Sequence, residues 1–495
     1  MNSIKYLLIF CLALNLTNHS YSAVKDSLSL ADALQNNMVL QQNKAFKVWG
    51  KANAGEKISI TADWMANPII VIAANNGIFE GMIAVPQAKR GDFSSHYILV
   101  GTKKEKKKLI NLLIGDVWFC SGQSNMQFAV KEMTGAADVI SKANQPHIRL
   151  LNVELNFSKY PIDTFAGKWQ ECSGANVKGF SAVGYTFGRK LYDELNIPIG
   201  IIFSGIGASG VQAYLPQDVL ANNSLLNQTY LQPYLDSLKA KEEISSAFSF
   251  EKVVRPFLLY NAMIHPFINL SIKGFCWYQG ESNHMERIAY VEAMHVMIKE
   301  WRTRFKQADL PFYYVQIAPF AHEKEDVKLT YDAFFREAQG QIAELNNTKM
   351  ICTMDVGEAK NLHPTKKEPI GHRLAAVALN RTYHQLSVTY MGPTFSHAIF
   401  QKEIATIYFK QETLSGGLNT SDGQAPAFFF VAGDDQIFYP AIAKIINNTI
   451  VVTSDKVIKP RAVRYAFFNY PVTNLQNSNG FPALPFRTDD WPEPK

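Results

Sequence analysis

Leu112-Leu113-Ile114-Gly115-Asp116-Val117-Trp118-Phe119-Cys120-Ser121-Gly122-Gln123-Ser124-Asn125-Met126 reads as an apolar strand running into a tight polar loop with a hydroxyl near its middle. Gly122 lets the chain turn without a Cβ clash. Beyond Met126, Phe128, Val130 and Met133 mark the start of a helix. A serine on a strand-to-helix turn can show its Oγ to solvent, with its backbone N–H at a helix N-terminus. Both suit a nucleophile with an oxyanion site beside it. The same stretch equally suits an N-capping loop serine, so the rest of the chain has to decide.

Outward from this stretch the pattern changes twice. Residues 23–112 alternate with period two in short runs such as Glu56-Lys57-Ile58-Ser59-Ile60, which predicts a β-sandwich-like region. Residues 113–383 alternate strands with helices. Strands are expected at Val117 to Cys120, His147 to Val153, Ile199 to Ser204, Ile272 to Tyr278, Pro311 to Ile317 and Met350 to Met354. Helices are expected at Val183 to Leu195, Tyr290 to Phe305 and Pro364 to Leu379. Long crossovers of this kind predict an α/β fold, a mostly parallel sheet with helices on both faces. Residues 384–495 return to β. Ligands of such a sheet bind at the C-terminal ends of its strands.

The chain has 495 residues, which is too many for one ordinary domain. Its 47% hydrophobic and 19% charged residues exclude a disordered or collagenous class. The net charge of +6 gathers around Lys103, Lys104, Lys106, Lys107 and Lys108, between two apolar runs. That placement predicts a solvated hairpin rather than a nucleic-acid surface, and no nucleic-acid module accompanies it. Residues 1–22 read as a secretory signal: Lys5, an apolar run from Tyr6 to Leu16, then Ser20-Tyr21-Ser22 before Ala23. The expected location is periplasmic or secreted, with no membrane attachment after cleavage. Cys120, Cys172, Cys276 and Cys352 remain, and three of them lie in apolar strand-like runs. Buried free thiols are expected, and no CxxC metal pair exists.

Polar or glycine-rich clusters recur just after the strands of the α/β region. Besides the Ser124 loop there are Ser204-Gly205-Ile206-Gly207-Ala208-Ser209-Gly210, Trp277-Tyr278-Gln279-Gly280-Glu281-Ser282-Asn283, and Leu362-His363-Pro364. The glycines can leave N–H groups free, Gln279 and Asn283 can donate amide hydrogens, and Glu281 brings a carboxylate. His363, placed at a predicted helix start, would be kept neutral by the helix dipole and so be competent as a base. Taken singly, each is an ordinary turn or loop feature. Together at one end of one sheet they supply a nucleophile, a base and an oxyanion hole, the parts of acyl transfer.

On Gly115-Asp116-Val117-Trp118 into Gly122-Gln123-Ser124-Asn125-Met126, then Trp277 to Asn283, then His363-Pro364, the chain resembles the sialate O-acetylesterases of the SGNH hydrolase superfamily. Asn37 to Gln42, Phe180 to Gly184, Arg336-Glu337-Ala338-Gln339 and Pro485 to Asp489 also fit, so the resemblance runs through nearly the whole mature chain. It implies a flavodoxin-like hydrolase core flanked by N- and C-terminal β-regions, and no metal or organic cofactor. Ser124 would be nucleophile and first oxyanion donor, Gly207 a second donor, Asn283 or Gln279 a side-chain donor, and His363 the general base. Gln123, Gln316, Arg336 and Glu281 are expected to contact substrate; for Arg336 an internal ion pair, and for Gln316 simple packing, are the plain alternatives.

One departure stands out. The family usually carries an aspartate two or three residues before the histidine, where this chain has Lys360 and Asn361. Three readings follow: a Ser–His dyad with Asn361 or a backbone carbonyl fixing the imidazole, an upstream carboxylate (Asp355 or Glu358) reaching in, or a weak or inactive relative. The dyad is favoured, and Asn361→Asp is then expected to leave turnover near wild type or raise it. The expected substrate is an O-acetylated sugar, first a sialic acid, alternatively acetylxylan or another plant glycan. A carbohydrate-binding protein with a decayed site is the reading from another class.

Overall fold

The structure, a computed structural model, describes residues 28–322 and 329–493. The leader-like residues 1–22 lie outside that range. The opening stretch belongs to strand β1, Lys106–Gly122, which is 17 residues long. It is joined by β2 (Asn144–Asn152), β3 (Trp169–Ser173), β4 (Ile199–Phe203), β5 (Gly274–Tyr278), β6 (Phe312–Val315) and β7 (Thr348–Ile351). Their order across the sheet is β3-β2-β4-β1-β5-β6-β7. The pairs β2/β4, β4/β1, β1/β5, β5/β6 and β6/β7 are parallel, and only the edge strand β3 runs antiparallel.

Parallel strands need crossovers, and the crossovers cover both faces. Along β1 the period of two sends Val117 and Phe119 to one face, Trp118 and Cys120 to the other. Phe119, Phe275 and Phe312 pack under α3 (Arg287–Phe305) through Met297, Trp301 and Phe305, with Phe335 of α4 (Tyr331–Gln341) in the same cluster. Trp118, Cys276 and Tyr278 face α2 (Ala182–Leu195) and α5 (Glu368–Arg381) through Phe187, Leu191, Leu374 and Val377. Trp118, Trp277 and Tyr278 are thus core, and all four cysteines are buried and free, as their apolar surroundings predicted.

The N-terminal β-region grows onto the same sheet. Lys57–Ala62 pairs with Ile69–Ile72 and His96–Gly101, and the latter pairs with the first half of β1. A separate antiparallel sheet of Ser29–Leu30, Ala45–Lys51 and Ile78–Ala84 shares a core with it through Phe46, Val48, Ile58, Ile60, Phe79 and Ile83. The sequence boundary at 112/113 therefore falls inside one continuous strand. The lysine run lies at a hairpin, where Thr102 N–H donates to Glu105 O (2.8 Å) and β1 begins at Lys106. After α5 two antiparallel sheets, one holding Ile404–Phe409 and Thr449–Thr453, the other Phe429–Ala432 and Ala462–Tyr465, enclose Ile407, Val431, Ile450, Val452 and Tyr465. No helix of the described residues is long and apolar enough to cross a membrane.

Two helix starts differ from expectation. After β1 the helix is Ser124–Gln127, and Phe128 to Met133 hold only the three-residue 3-10 turn Val130–Glu132. Pro364 does not open a helix; α5 begins at Glu368, with Pro369 in its first turn. His363 therefore sits in a loop five residues before α5 rather than in its first turn.

Candidate active site

The loops that follow β1, β4 and β5 come from three adjacent strands, so the topology alone brings them together. β1 ends in Gly122 at φ +136°, where a Cβ would lie 2.1 Å from Tyr278 O. Only glycine allows β1 and β5 to close so tightly at the point where the chain leaves the sheet. Gln123 N–H then donates to Tyr278 O (3.0 Å), and Ser124 opens the short helix α1 (Ser124–Gln127). No acceptor among the described residues takes the Ser124 N–H, as befits the first N–H of a helix.

His363 reaches this loop from beyond β7. Its Nε2 lies 2.8 Å from Ser124 Oγ, a hydrogen bond of general-base geometry. Burial pushes the imidazole pKa below its ordinary value, and the positive charge of Lys367 pushes the same way; Glu132 opposes them. The imidazole therefore holds a proton less tightly than an exposed histidine does.

The orienting carboxylate is absent from Nδ1. Asp355 is held by Arg373 in a two-pronged ion pair (2.7 and 2.6 Å) and does not reach His363. Glu358 accepts from Thr365 N–H (2.6 Å) and Oγ1 (3.0 Å), and from Asn361 Nδ2 (3.1 Å). Asn361 Oδ1 accepts from the backbone N–H of His363 (3.0 Å), not from its ring. Both residues thus tie the 358–365 loop and fix the base through its backbone. Among the described residues no side chain or carbonyl takes Nδ1, so Ser124 and His363 form a hydrogen-bonded pair without a third partner on the ring.

This geometry reverses one expectation. Asn361→Asp would delete the donor to Glu358 and set two carboxylates face to face. Turnover of p-nitrophenyl acetate is expected to fall about tenfold, the cost of one strained, half-buried contact; a wild-type or higher rate would restore the triad-repair reading.

Gly207, expected as the second oxyanion donor, lies beside Ser124. A Cβ on Gly207 would stand 3.3 Å from Ser124 Cβ, so the Gly207 backbone lies against the nucleophile. Its N–H donates to Gln127 Oε1 (2.8 Å), an exposed side chain one helical turn after Ser124. The side-chain donors are not in place. Asn283 Nδ2 donates to Gln212 Oε1 and Glu286 Oε2, while its Oδ1 accepts from Val211 N–H and Gln279 Nε2. Gln279 Nε2 also donates to Ser209 O. Both amides are buried and occupied in joining the second and third loops, so neither faces the serine.

The expected substrate contacts also lie inside the protein. Gln123 is buried, its Oε1 accepting from Gly280 N–H (3.3 Å) and Ser282 N–H (3.4 Å). Gln316 is buried at the end of β6, its carbonyl accepting from Thr353 Oγ1. Arg336 is 1% exposed and donates to the carbonyls of Asn469 and Phe468, stapling α4 to the C-terminal region rather than pairing with an acid. Glu281 has a buried carboxylate that accepts from Asn125 Nδ2 (2.5 Å), and burial raises its pKa. None of these four lines the cleft. The cleft, about 600 Å³ beside Ser124 and His363, is instead lined by Gln127, Phe128, Lys131, Glu132, Asn152 and Glu154. Of these, Gln127 lay within reach of sequence reasoning, one turn past the serine on α1.

The description of one family, "Carbohydrate esterase, sialic acid-specific acetylesterase", matches residues 114–380, more than half of the chain. Sialate O-acetylesterase of Mus musculus is 28% identical over 412 residues, covering 73% of this chain and 75% of its own. That of Rattus norvegicus is 27% identical over 512 residues, covering 92% and 93%. A solved carbohydrate acetylesterase from Xanthomonas citri superposes with a TM-score of 0.83 at 30% identity, covering 94% of this chain and all of that one. With its three motif loops assembled around Ser124 and His363, the chain is a carbohydrate esterase that belongs to the sialic acid-specific acetylesterase family.

Proposed function

We propose that the protein removes O-acetyl groups from sugars by serine acyl transfer, and that residues 1–22 direct its export. The observation that supports the mechanism is the 2.8 Å contact between His363 Nε2 and Ser124 Oγ at the rim of an open cleft. As Oγ bonds to the acetyl carbonyl carbon, Nε2 takes its proton. The carbonyl oxygen becomes an oxyanion that accepts from the N–H groups of Ser124 and Gly207, which requires the Gln127 amide to turn away. Collapse breaks the bond to the sugar oxygen, which leaves with the proton from His363. Water, deprotonated by the same imidazole, then releases acetate from Ser124. An acetyl ester expels an alkoxide more readily than an amide expels an amine, so a dyad suffices.

The relatives' names support O-acetylated sialic acid as the substrate, and Lys131 at the cleft offers a cation for its carboxylate. Glu132 and Glu154 line the same cleft and favour an uncharged acetylated glycan, the second reading. Acetate release from 9-O-acetylated sialic acid and from acetylxylan, side by side, tests the two. Faster release from the sialic acid is the expected result; release from xylan alone would move the assignment to neutral glycans, and release from neither, with p-nitrophenyl acetate also untouched, would overturn the esterase mechanism.

A further inference from the structure

We propose that Lys367 and Asn125 are positioning residues that hold His363 to the nucleophile loop in place of the absent aspartate. This rests on the acyl-transfer reading of the site. Asn125 follows Ser124 directly and is fully buried. Its Nδ2 donates to Leu362 O (3.2 Å) and Glu281 Oε1 (2.5 Å), and its Oδ1 accepts from Lys367 Nζ (2.5 Å). An asparagine amide can be turned either way, but an ammonium only donates. Lys367 therefore fixes Oδ1 toward itself and Nδ2 toward Leu362. Leu362 is the residue before His363. The backbone of the base is gripped on one side by Asn361, at the His363 N–H, and on the other by Asn125, at the Leu362 carbonyl. Because Asn125 is bonded to Ser124, the second grip sets the distance between base and nucleophile.

A buried lysine is costly unless its surroundings hold it. Lys367 has no exposed surface and lies just before α5, whose N-terminal dipole disfavours a cation. Burial pushes its pKa down to about 7, opposed by Glu281 from the loop after β5 and Glu358 from the His363 loop. The rings of Phe128 and Tyr278 face the ammonium at 4.7 and 5.6 Å. His363 completes the set of titratable groups around it, with Glu132 facing His363 and Asp332 facing Glu281. The same cation that orders the amide also lowers the proton affinity of the imidazole, so geometry and basicity are coupled through one side chain.

The test is the pH dependence of kcat/KM for p-nitrophenyl acetate. In the wild type the acid limb is expected below 6.5, the ordinary imidazole value, because burial and Lys367 both lower it. Lys367→Met is expected to reduce kcat about 100-fold, the scale of an ångström of misplacement, with KM changed less than about twofold. It should also move the acid limb upward, since the cation is gone. The double variant Lys367→Met with Glu281→Gln removes both buried charges and guards the fold; its melting temperature should stay near wild type while kcat and the limb change as in the single variant. Wild-type kcat in either variant would overturn the proposal. So would a fall in kcat with the limb unmoved, which is what simple loss of packing produces. If the wild type itself fails to turn over the ester, it is the acyl-transfer reading that falls.

Discussion

Ser124→Ala is expected to lower kcat for p-nitrophenyl acetate by roughly 10⁴-fold to 10⁶-fold, with the fold intact. Ser124 Oγ has one hydrogen bond among the described residues, to His363 Nε2, so its removal strands no buried partner. What is lost is the bond-forming atom itself. The Ser124 and Gly207 N–H groups survive the substitution and leave a residual rate from electrostatic stabilisation alone. His363→Ala should cost nearly as much, and the double variant little more than either, because a base without a nucleophile has nothing to deprotonate. Steady-state rates with a circular-dichroism check on folding decide the matter. Additive losses in the double variant would mean that the two side chains act in separate steps rather than as a pair.

Asp489→Ala is expected to cost about 3–5 kcal/mol of stability, the price of stranding a buried cation. The Asp489 side chain is 1% exposed and receives Arg464 at both oxygens, Nη2 to Oδ1 (2.7 Å) and Nε to Oδ2 (3.0 Å). Arg487 reaches the same carboxylate (3.4 Å) and also pairs with Glu337 on α4 (2.8 Å). Without the carboxylate, Arg464 remains buried against the Phe438 ring, 4.2 Å away, with its charge uncompensated. The urea midpoint should fall at unchanged slope. A loss below about 1 kcal/mol would place the pair with ordinary surface ion pairs.

The sequence carried the architecture well because parallel strands buried on two faces leave near-continuous apolar runs, and Val117 to Cys120 and Trp277-Tyr278 are such runs. It also brought Ser124, Gly207 and His363 to one end of the sheet. It failed on side chains whose polarity suggests exposure. Asn283, Gln279, Gln123, Gln316 and Arg336 are polar or charged, yet each is buried, most of them binding one element to the next. A polar residue after a strand looks the same in sequence whether it faces a ligand or a neighbouring loop. The Pro364 reading failed for a related reason: Pro369 carries the same first-turn signature five residues later. Lys367 was illegible because a lone lysine is normally solvated; only its place among Asn125, Glu281 and Glu358 shows otherwise.

The 17-residue strand that carries Ser124 at its far end begins among the lysines of the N-terminal hairpin. Its first half is hydrogen-bonded to His96–Gly101 and its second half to the hydrolase strands β4 and β5. Separating the chain at 112/113 would part Val39–Gln41 from Leu113–Gly115, the parallel pairing that crosses that point, and would bare a sheet edge on each piece, a template for aggregation, instead of freeing a module. The N-terminal region works as a splint on the strand that leads into Ser124, since its strands pair with β1 along the half that precedes the site.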